Sequence, residues 1–281
     1  MSRLLIVSAD DLGLTDGVCR AVARGHADGV VTSTSLLAVG RAFASAVRVL
    51  RDAPGLDAGA HLAMVGEDPP LLTRREIPTL VNKQGRFPFS YRTVLARGVA
   101  RRIDPDDVRR EFTAQVQRIR SAGVPVSHLD THQHVHLWPP VARVVTELAK
   151  QERIPAVRTP ASHRLLPIGF GVNALASRLR RRLAAAGLAT TDGYSGLDEA
   201  GAFDAGRFET SLSGLRQGSG SVEINVHPGE AGDPDLGRFS WGYRWSDELA
   251  MLLAPRTRSL IDAGGFRLGT FAELTVQRPE R

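Results

Sequence analysis

The chain has 281 residues, a formal net charge of +6, a pI near 10.3 and a single cysteine, Cys19. That length fits one large α/β domain or two small ones, and a lone cysteine excludes both an intrachain disulfide and a thiolate zinc centre while fitting a cytoplasmic location. No apolar run is long enough to span a bilayer, and the basic stretch Arg178-Leu179-Arg180-Arg181-Arg182 reads as a solvated helix face with no nucleic-acid reader motif beside it.

Residues 4–9 form an apolar first strand, read as a strand and not a signal peptide because it runs directly into Asp10-Asp11. A helix over 16–26 follows, with Thr15 as N-cap and Gly29 just past its end. Residues 30–39 read as a β-branched strand, 41–52 as a helix stopped by Pro54-Gly55, and 57–61 as a short strand. Residues 64–90 break this rhythm with Pro69, Pro70, Pro78 and Pro88, and predict a long inserted loop that acts as a lid or faces a partner. The next helix is strongly marked: Asp104 caps it, Pro105 opens it, Asp106 and Asp107 suit its positive end, and Ala122-Gly123 close it. Beyond it come a histidine-bearing strand, a helix over 141–152, a strand near Val157 and a basic helix over 172–186. Strands near Leu188 and over 222–226 follow, then helices over 247–263 interrupted at Pro255, and a last strand at 266–268. No internal repeat or domain boundary is visible, so residues 1–281 read as one barrel of βα units with its ligands at the C-terminal strand ends.

Polar residues stand where those strands end. Four of the eight histidines fall in the run His128-Leu129-Asp130-Thr131-His132-Gln133-His134-Val135-His136, and imidazole and carboxylate this dense point to a divalent metal. A barrel strand is short, so this one is expected to end near Asp130. At most two of the histidines then reach the ion, while Asp130 fixes an imidazole tautomer. Asp10 and Asp11 repel each other unless a cation or a shared proton intervenes: one suits a metal and the other a proton, with helix capping as the alternative for one of them. His61 ends the third strand, where a buried structural histidine is the plainer reading. His227, before Pro228-Gly229, sits on a turn where a proton donor can stand, and Asn225 two residues earlier reads equally as a turn stabiliser. Arg158 orients an acidic neighbour, contacts substrate or makes a plain salt bridge.

Taken together, these segments resemble the YdjC-like carbohydrate deacetylase family, which includes chitooligosaccharide deacetylases and members associated with hopanoid biosynthesis. The likeness rests on Leu5-Ile6-Val7-Ser8-Ala9-Asp10-Asp11-Leu12-Gly13-Leu14, Gly29-Val30-Val31-Thr32-Ser33-Thr34, Gly59-Ala60-His61, the histidine run and His227-Pro228-Gly229, and it spans essentially the whole chain. Members typically carry an aromatic residue where Leu12 stands. The resemblance implies a distorted TIM-like (β/α) barrel similar to polysaccharide deacetylases, and hydrolysis of the acetamide of an N-acetylated amino sugar or oligosaccharide. It implies that Asp11, His61 and His132 hold one divalent ion, Mg2+ or Zn2+, that Asp10 is the catalytic base, and that His227 is the general acid. Asp130, His136 and Arg158 then stand behind the ligands or against substrate. A homodimer is implied as well.

Three other readings compete. His128, Asp130 and His227 fit the facial triad of a non-haem iron oxygenase, although that triad usually comes on an all-β barrel and would leave Asp10, Asp11 and His61 idle. His134-Val135-His136 suggests a metal-dependent phosphoesterase or amidohydrolase. A non-catalytic sugar-binding or metal-storage protein would have no use for Asp10 or His227. The Trp241-Gly242-Tyr243-Arg244-Trp245 cluster serves either sugar stacking or ordinary packing.

Overall fold

The computed structural model describes residues 3–217 and 220–276. Its strands are β1 (Arg3–Leu12), β2 (Ser33–Leu36), β3 (Asp57–Leu62), β4 (His128–Thr131), β5 (Ala156–Val157), β6 (Gly193–Ser195), β7 (Val222–Val226) and β8 (Phe266–Leu268). All pair in parallel, in the order β5-β4-β3-β2-β1-β7-β6, with β8 added to the start of β1. A single parallel bridge from Ala156 to Ala189 draws the β5 edge towards the segment that leads into β6. Helices surround the sheet, and the result is an α/β distorted barrel.

Side-chain alternation along the strands sets the layers. On β1, Leu5, Val7 and Ala9 pack outward into the main apolar core against the helices, while Leu4 and Ile6 join Ala156, Ala189, Phe271 and Leu274 in a separate cluster. The same alternation puts Val222, Ile224 and Val226 of β7 in the outer core and leaves buried Glu223 and Asn225 on the other face. Polar residues therefore fill the barrel above an apolar floor.

Local chemistry explains the helices. Thr15 Oγ1 accepts from the Val18 N–H at 3.0 Å to start Asp16–Ala27, and Asp104 accepts from the Asp106 N–H at 2.9 Å ahead of Pro105–Ser121. Pro255 separates Trp245–Leu253 from Pro255–Ala263, as the sequence predicts.

Several expectations need revision. The strand over 30–39 shrinks to β2, because the Val31 N–H bonds back to the Gly25 carbonyl at the preceding helix end. Near Leu188 there is only the Ala189 bridge, and the strand proper is β6, too short and polar to show a pattern. Helices Tyr91–Val99 and Ala205–Leu215 have no counterpart in the sequence reading. Residues 64–90 contain no helix or strand, as predicted, but they are well anchored. Ile77, Leu80 and Phe87 are buried in the core, and the Leu71 and Leu72 N–H groups donate to Glu111.

Candidate metal centre and active site

Two neighbouring carboxylates on a flat strand would face opposite ways; here both line one cavity. Between Ala9, paired with Thr34, and Leu12, paired with Leu36, Asp10 and Asp11 oppose the single residue Ser35. This is a β-bulge, and Asp11 takes the left-handed φ of 64° that it requires. Asp and Asn tolerate that conformation better than other side chains.

Asp11 Oδ1 lies 3.0 Å from His132 Nδ1 and 3.4 Å from His61 Nε2, and those two nitrogens are 3.3 Å apart. Ligands held at about 2.0–2.2 Å from one ion are separated by distances of this order. Asp11 Oδ1 is also buried without a hydrogen-bond donor, the imidazole nitrogens beside it lying out of line. The donor set of two imidazoles and one carboxylate suits Zn2+, and carboxylate also suits Mg2+. These residues fit a divalent cation.

His61 is oriented from behind. Its Nδ1 lies 2.8 Å from Asp130 Oδ1 and 3.1 Å from Ser35 Oγ, which assigns the proton to Nδ1 and leaves Nε2 for the ion. Asp10 Oδ1 and Oδ2 accept from Arg158 at 2.8 and 2.6 Å, and Ser35 Oγ donates to Asp10 Oδ1 at 2.8 Å. Arg158 also pairs with Asp130 and, at 2.7 Å, with Glu223, and donates to Ser8 Oγ at 3.0 Å. It is wholly buried, so of its expected roles it takes orientation of acidic neighbours and does not reach substrate.

Three buried carboxyl groups, Asp10, Asp130 and Glu223, thus face one buried guanidinium, while Asp11 faces only the two imidazoles. Burial opposes the charge on Asp10, but Arg158 and His61 together outweigh it and hold that carboxyl below its ordinary range. Burial likewise works against Asp11, which the two imidazoles nonetheless hold well below its ordinary value. His61 is pushed down by burial and more strongly up by Asp130 and Asp10, so it ends well above the usual imidazole range. Glu223 is pushed up to about 7 by burial, against the pull of Arg158. The enclosure is short of positive charge, which a divalent ion supplies.

The remaining histidines scatter. β4 ends at Thr131, one residue past the expected point, and a tight turn over His132–Leu137 follows with left-handed Gln133 and His134. His132 and His134 face the cavity. His136 does not: its Nδ1 lies 2.6 Å from Thr131 Oγ1 and its Nε2 3.0 Å from the Arg158 carbonyl, so it braces the backbone. His128 lies earlier on β4, stacked on Phe271 at 3.7 Å, and joins no metal-competent group among the described residues. The oxygenase triad therefore has no geometry here. Nor do His134 and His136 converge on one point, as the phosphoesterase reading requires.

His227 follows the end of β7. Its N–H donates to Glu248 at 2.6 Å, its ring meets Tyr243 edge-on at 5.0 Å, and its buried Nδ1 has no partner. It joins Asp10, Asp11, His61 and His132 around a cavity of about 270 Å³. Trp241 and Tyr243 form one wall; Trp241 packs on the His132 ring at 5.2 Å and donates to Glu67 of the 64–90 loop at 3.0 Å. Trp245 lies outside that wall, against Trp241. Tyr91 and Gln133 complete the opposite lining, tied together by the Tyr91 N–H on Gln133 Oε1 at 2.8 Å.

Sequence reasoning missed Ser35, Glu223 and Glu248. A signal existed for Glu223, a charged residue between apolar neighbours in Val222-Glu223-Ile224, whereas Ser35 lies in the uniformly polar run Ser33-Thr34-Ser35 of β2, which carries no such contrast.

A sequence profile describing YdjC-like proteins matches residues 4–263. A carbohydrate deacetylase of Brevibacillus brevis is 30% identical over 272 residues, 96% of this chain and 99% of that protein. A carbohydrate deacetylase of Geobacillus stearothermophilus is 38% identical over 167 residues, 59% of this chain and 64% of that protein. Among solved structures, a proposed cellobiose-phosphate cleavage protein from Enterococcus faecalis V583 superposes with a TM-score of 0.83 at 25% identity, covering 98% of this chain and 99% of the other.

Proposed function

The chain belongs to the YdjC-like family, and from that premise we propose that it is a metal-dependent hydrolase that removes the acetyl group from an N-acetylated amino sugar or oligosaccharide. The observation that carries this reading is the triangle of Asp11, His61 and His132 ligand atoms, 3.0 to 3.4 Å on a side, with the ionised Asp10 beside it in the same cavity. The deacetylase names of the relatives support the reaction class.

Asp11, His61 and His132 hold one divalent cation, Mg2+ or Zn2+, which supplies Lewis acidity to the acetamide carbonyl and to a water molecule. Asp10, kept ionised and aligned by Arg158 and Ser35, takes the proton from the attacking water. His227 delivers a proton to the departing nitrogen, because an amine anion is too poor a leaving group to depart alone. Amide and water thus become acetate and a free amino sugar. Trp241 and Tyr243 offer flat apolar faces to the sugar ring. The homodimer belongs to the same proposal and rests on the family likeness; the reading of residues 1–281 as one unit rests on the unbroken succession of βα units, and the cytoplasmic location on the lone Cys19.

The test is acetate release from a panel of N-acetylated oligosaccharides, with chelator and after adding back Mg2+ or Zn2+. Release that chelation stops and metal restores is expected. No acetate from any substrate, or release indifferent to chelation, defeats the proposal.

A further inference from the structure

Among the groups that meet Arg158, Glu223 has no task in the steps above. Arg158 leaves the end of β5 and crosses the barrel interior to Asp10 on β1 and Glu223 on β7. Its backbone is fixed: the N–H donates to the Leu129 carbonyl at 3.0 Å, and its carbonyl lies 3.0 Å from His136 Nε2. The long side chain beyond is flexible, and freezing it costs about 2 kcal/mol of rotamer entropy. Contacts at its tip therefore decide where the guanidinium stands. Asp10 is the group being held and cannot be the reference. Ser8 Oγ accepts from Nη2 at 3.0 Å, but Ser8 lies on the same strand as Asp10 and gives no independent reference. Asp130 pairs with Nη1 as a charge, yet its Oδ2 takes no aligned hydrogen bond.

Glu223 supplies what the others lack. Its Oε1 accepts from Nε at 2.7 Å, behind the two nitrogens that meet Asp10. It lies within β7, paired with Ile6 of β1 on one side and Tyr194 of β6 on the other, so its own backbone cannot drift. Glu223 is wholly buried, does not line the cavity and joins no metal-competent group among the described residues. It can influence the reaction only through Arg158. Burial pushes its carboxyl up to about 7, and Oε2 has no hydrogen-bond partner. Such a group serves Nε as an acceptor in the right place more than as a charge, since Asp10 and Asp130 already meet the charge of the guanidinium.

We propose that Glu223 is a positioning residue for the base: by holding Arg158 Nε it sets the guanidinium, and through it the Asp10 carboxylate, where proton removal needs them. The effect on rate rests on the deacetylase reading; the placement itself does not. A shift of about 1 Å at a reacting group can cost about 10²-fold in rate. Two substitutions separate reach from charge. Glu223→Gln keeps the acceptor at full length without the charge, whereas Glu223→Asp keeps the charge and draws it back by one C–C bond, about 1.5 Å. On a soluble N-acetylated oligosaccharide, Glu223→Gln is expected to lower kcat by no more than about threefold and Glu223→Asp by at least about tenfold. KM and metal content, read by elemental analysis after Zn2+ loading, should match the unmodified chain in both. A merely structural role would lower the urea midpoint and leave kcat per folded molecule alone. Crystal structures of the two variants should show Arg158 and Asp10 in place with glutamine and displaced by about 1 Å with aspartate. A larger loss of kcat with glutamine than with aspartate overturns the proposal, because charge would then be the cause. Equal kcat in the two variants, or a loss confined to KM or metal content, overturns it too. Where the aspartate variant does not fold, Glu223→Leu, of similar length and without an acceptor, replaces it under the same expectation. An unmodified chain that releases no acetate from any substrate defeats the deacetylase reading, and the crystal structures alone then judge the placement: an unmoved guanidinium in the shortened variant overturns it.

Discussion

Asp10 and Asp11 are chemically identical neighbours whose surroundings divide their tasks. Asp11 faces two imidazole nitrogens, whereas Asp10 is gripped by Arg158 on both oxygens. Replacing Asp10 by Asn keeps the shape and removes the proton acceptor. Turnover should then fall by about 10²–10⁴-fold with metal content unchanged. His132→Ala removes a ligand and should abolish both. Elemental analysis beside the acetate assay separates the two, and full activity in Asp10→Asn would refute its role as base. Arg158 carries a different load: without it, Asp10, Asp130 and Glu223 share a dry enclosure with no guanidinium among them. Arg158→Ala should cost about 3–5 kcal/mol, read as a lowered urea midpoint; an unchanged midpoint would mean that the three carboxyl groups find other partners. At this scale the sequence is legible where a residue violates its strand's apolar pattern, as Asp10, Asp11, His61 and His227 do. It is silent where backbone conformation decides. Nothing in the run of alternating histidines reveals that left-handed Gln133 and His134 turn His132 into the cavity and His136 away from it.

At the scale of elements, β3 and β4 lie side by side in a register that opposes His61 to Asp130. Two residues earlier the same register sets Gly59 against His128, and a Cβ on Gly59 would lie 2.3 Å from His128 Nε2 and 2.4 Å from its Cε1. His128 cannot retreat, because its other face is stacked on Phe271 at 3.7 Å. Gly59→Ala should therefore destabilise the fold by about 1–3 kcal/mol through overpacking. The same change at Gly171, exposed in helix Pro167–Ala185 with nothing within 4 Å of the added carbon, should stabilise by about 0.5–1 kcal/mol. Paired urea titrations check the contrast, and equal effects at both positions would remove His128 as the cause. Elements with capping chemistry were readable: Thr15, Asp104 with Pro105, and Pro255 mark real boundaries. β5 and β6 were harder, since strands of two and three residues hold too little pattern to register and exist only because their neighbours complete their hydrogen bonding.

For the whole molecule, alternating strands and helices suffice to predict a parallel barrel with its chemistry at the strand ends. They do not foretell that β8 pairs with β1 ahead of β2, or that closure between β5 and the approach to β6 rests on one bridge. Both are agreements between distant segments, and no local window contains them. The metal triangle is an agreement of the same kind. Asp11 comes from β1, His61 from β3 and His132 from the turn after β4, so an ion bound by all three ties the first strand to the fourth. An unfolded chain holds these groups apart and binds weakly, so the ion's affinity for the fold adds directly to stability. At about one hundred times the dissociation constant the gain is about 2.7 kcal/mol, which for a chain of this size raises Tm by roughly 4–5 °C. Titrating Zn2+ or Mg2+ into chelator-stripped protein by differential scanning calorimetry should show that rise, and His132→Ala should flatten it. A Tm indifferent to both ions in the unmodified chain would mean that Asp11, His61 and His132 gather without binding either one.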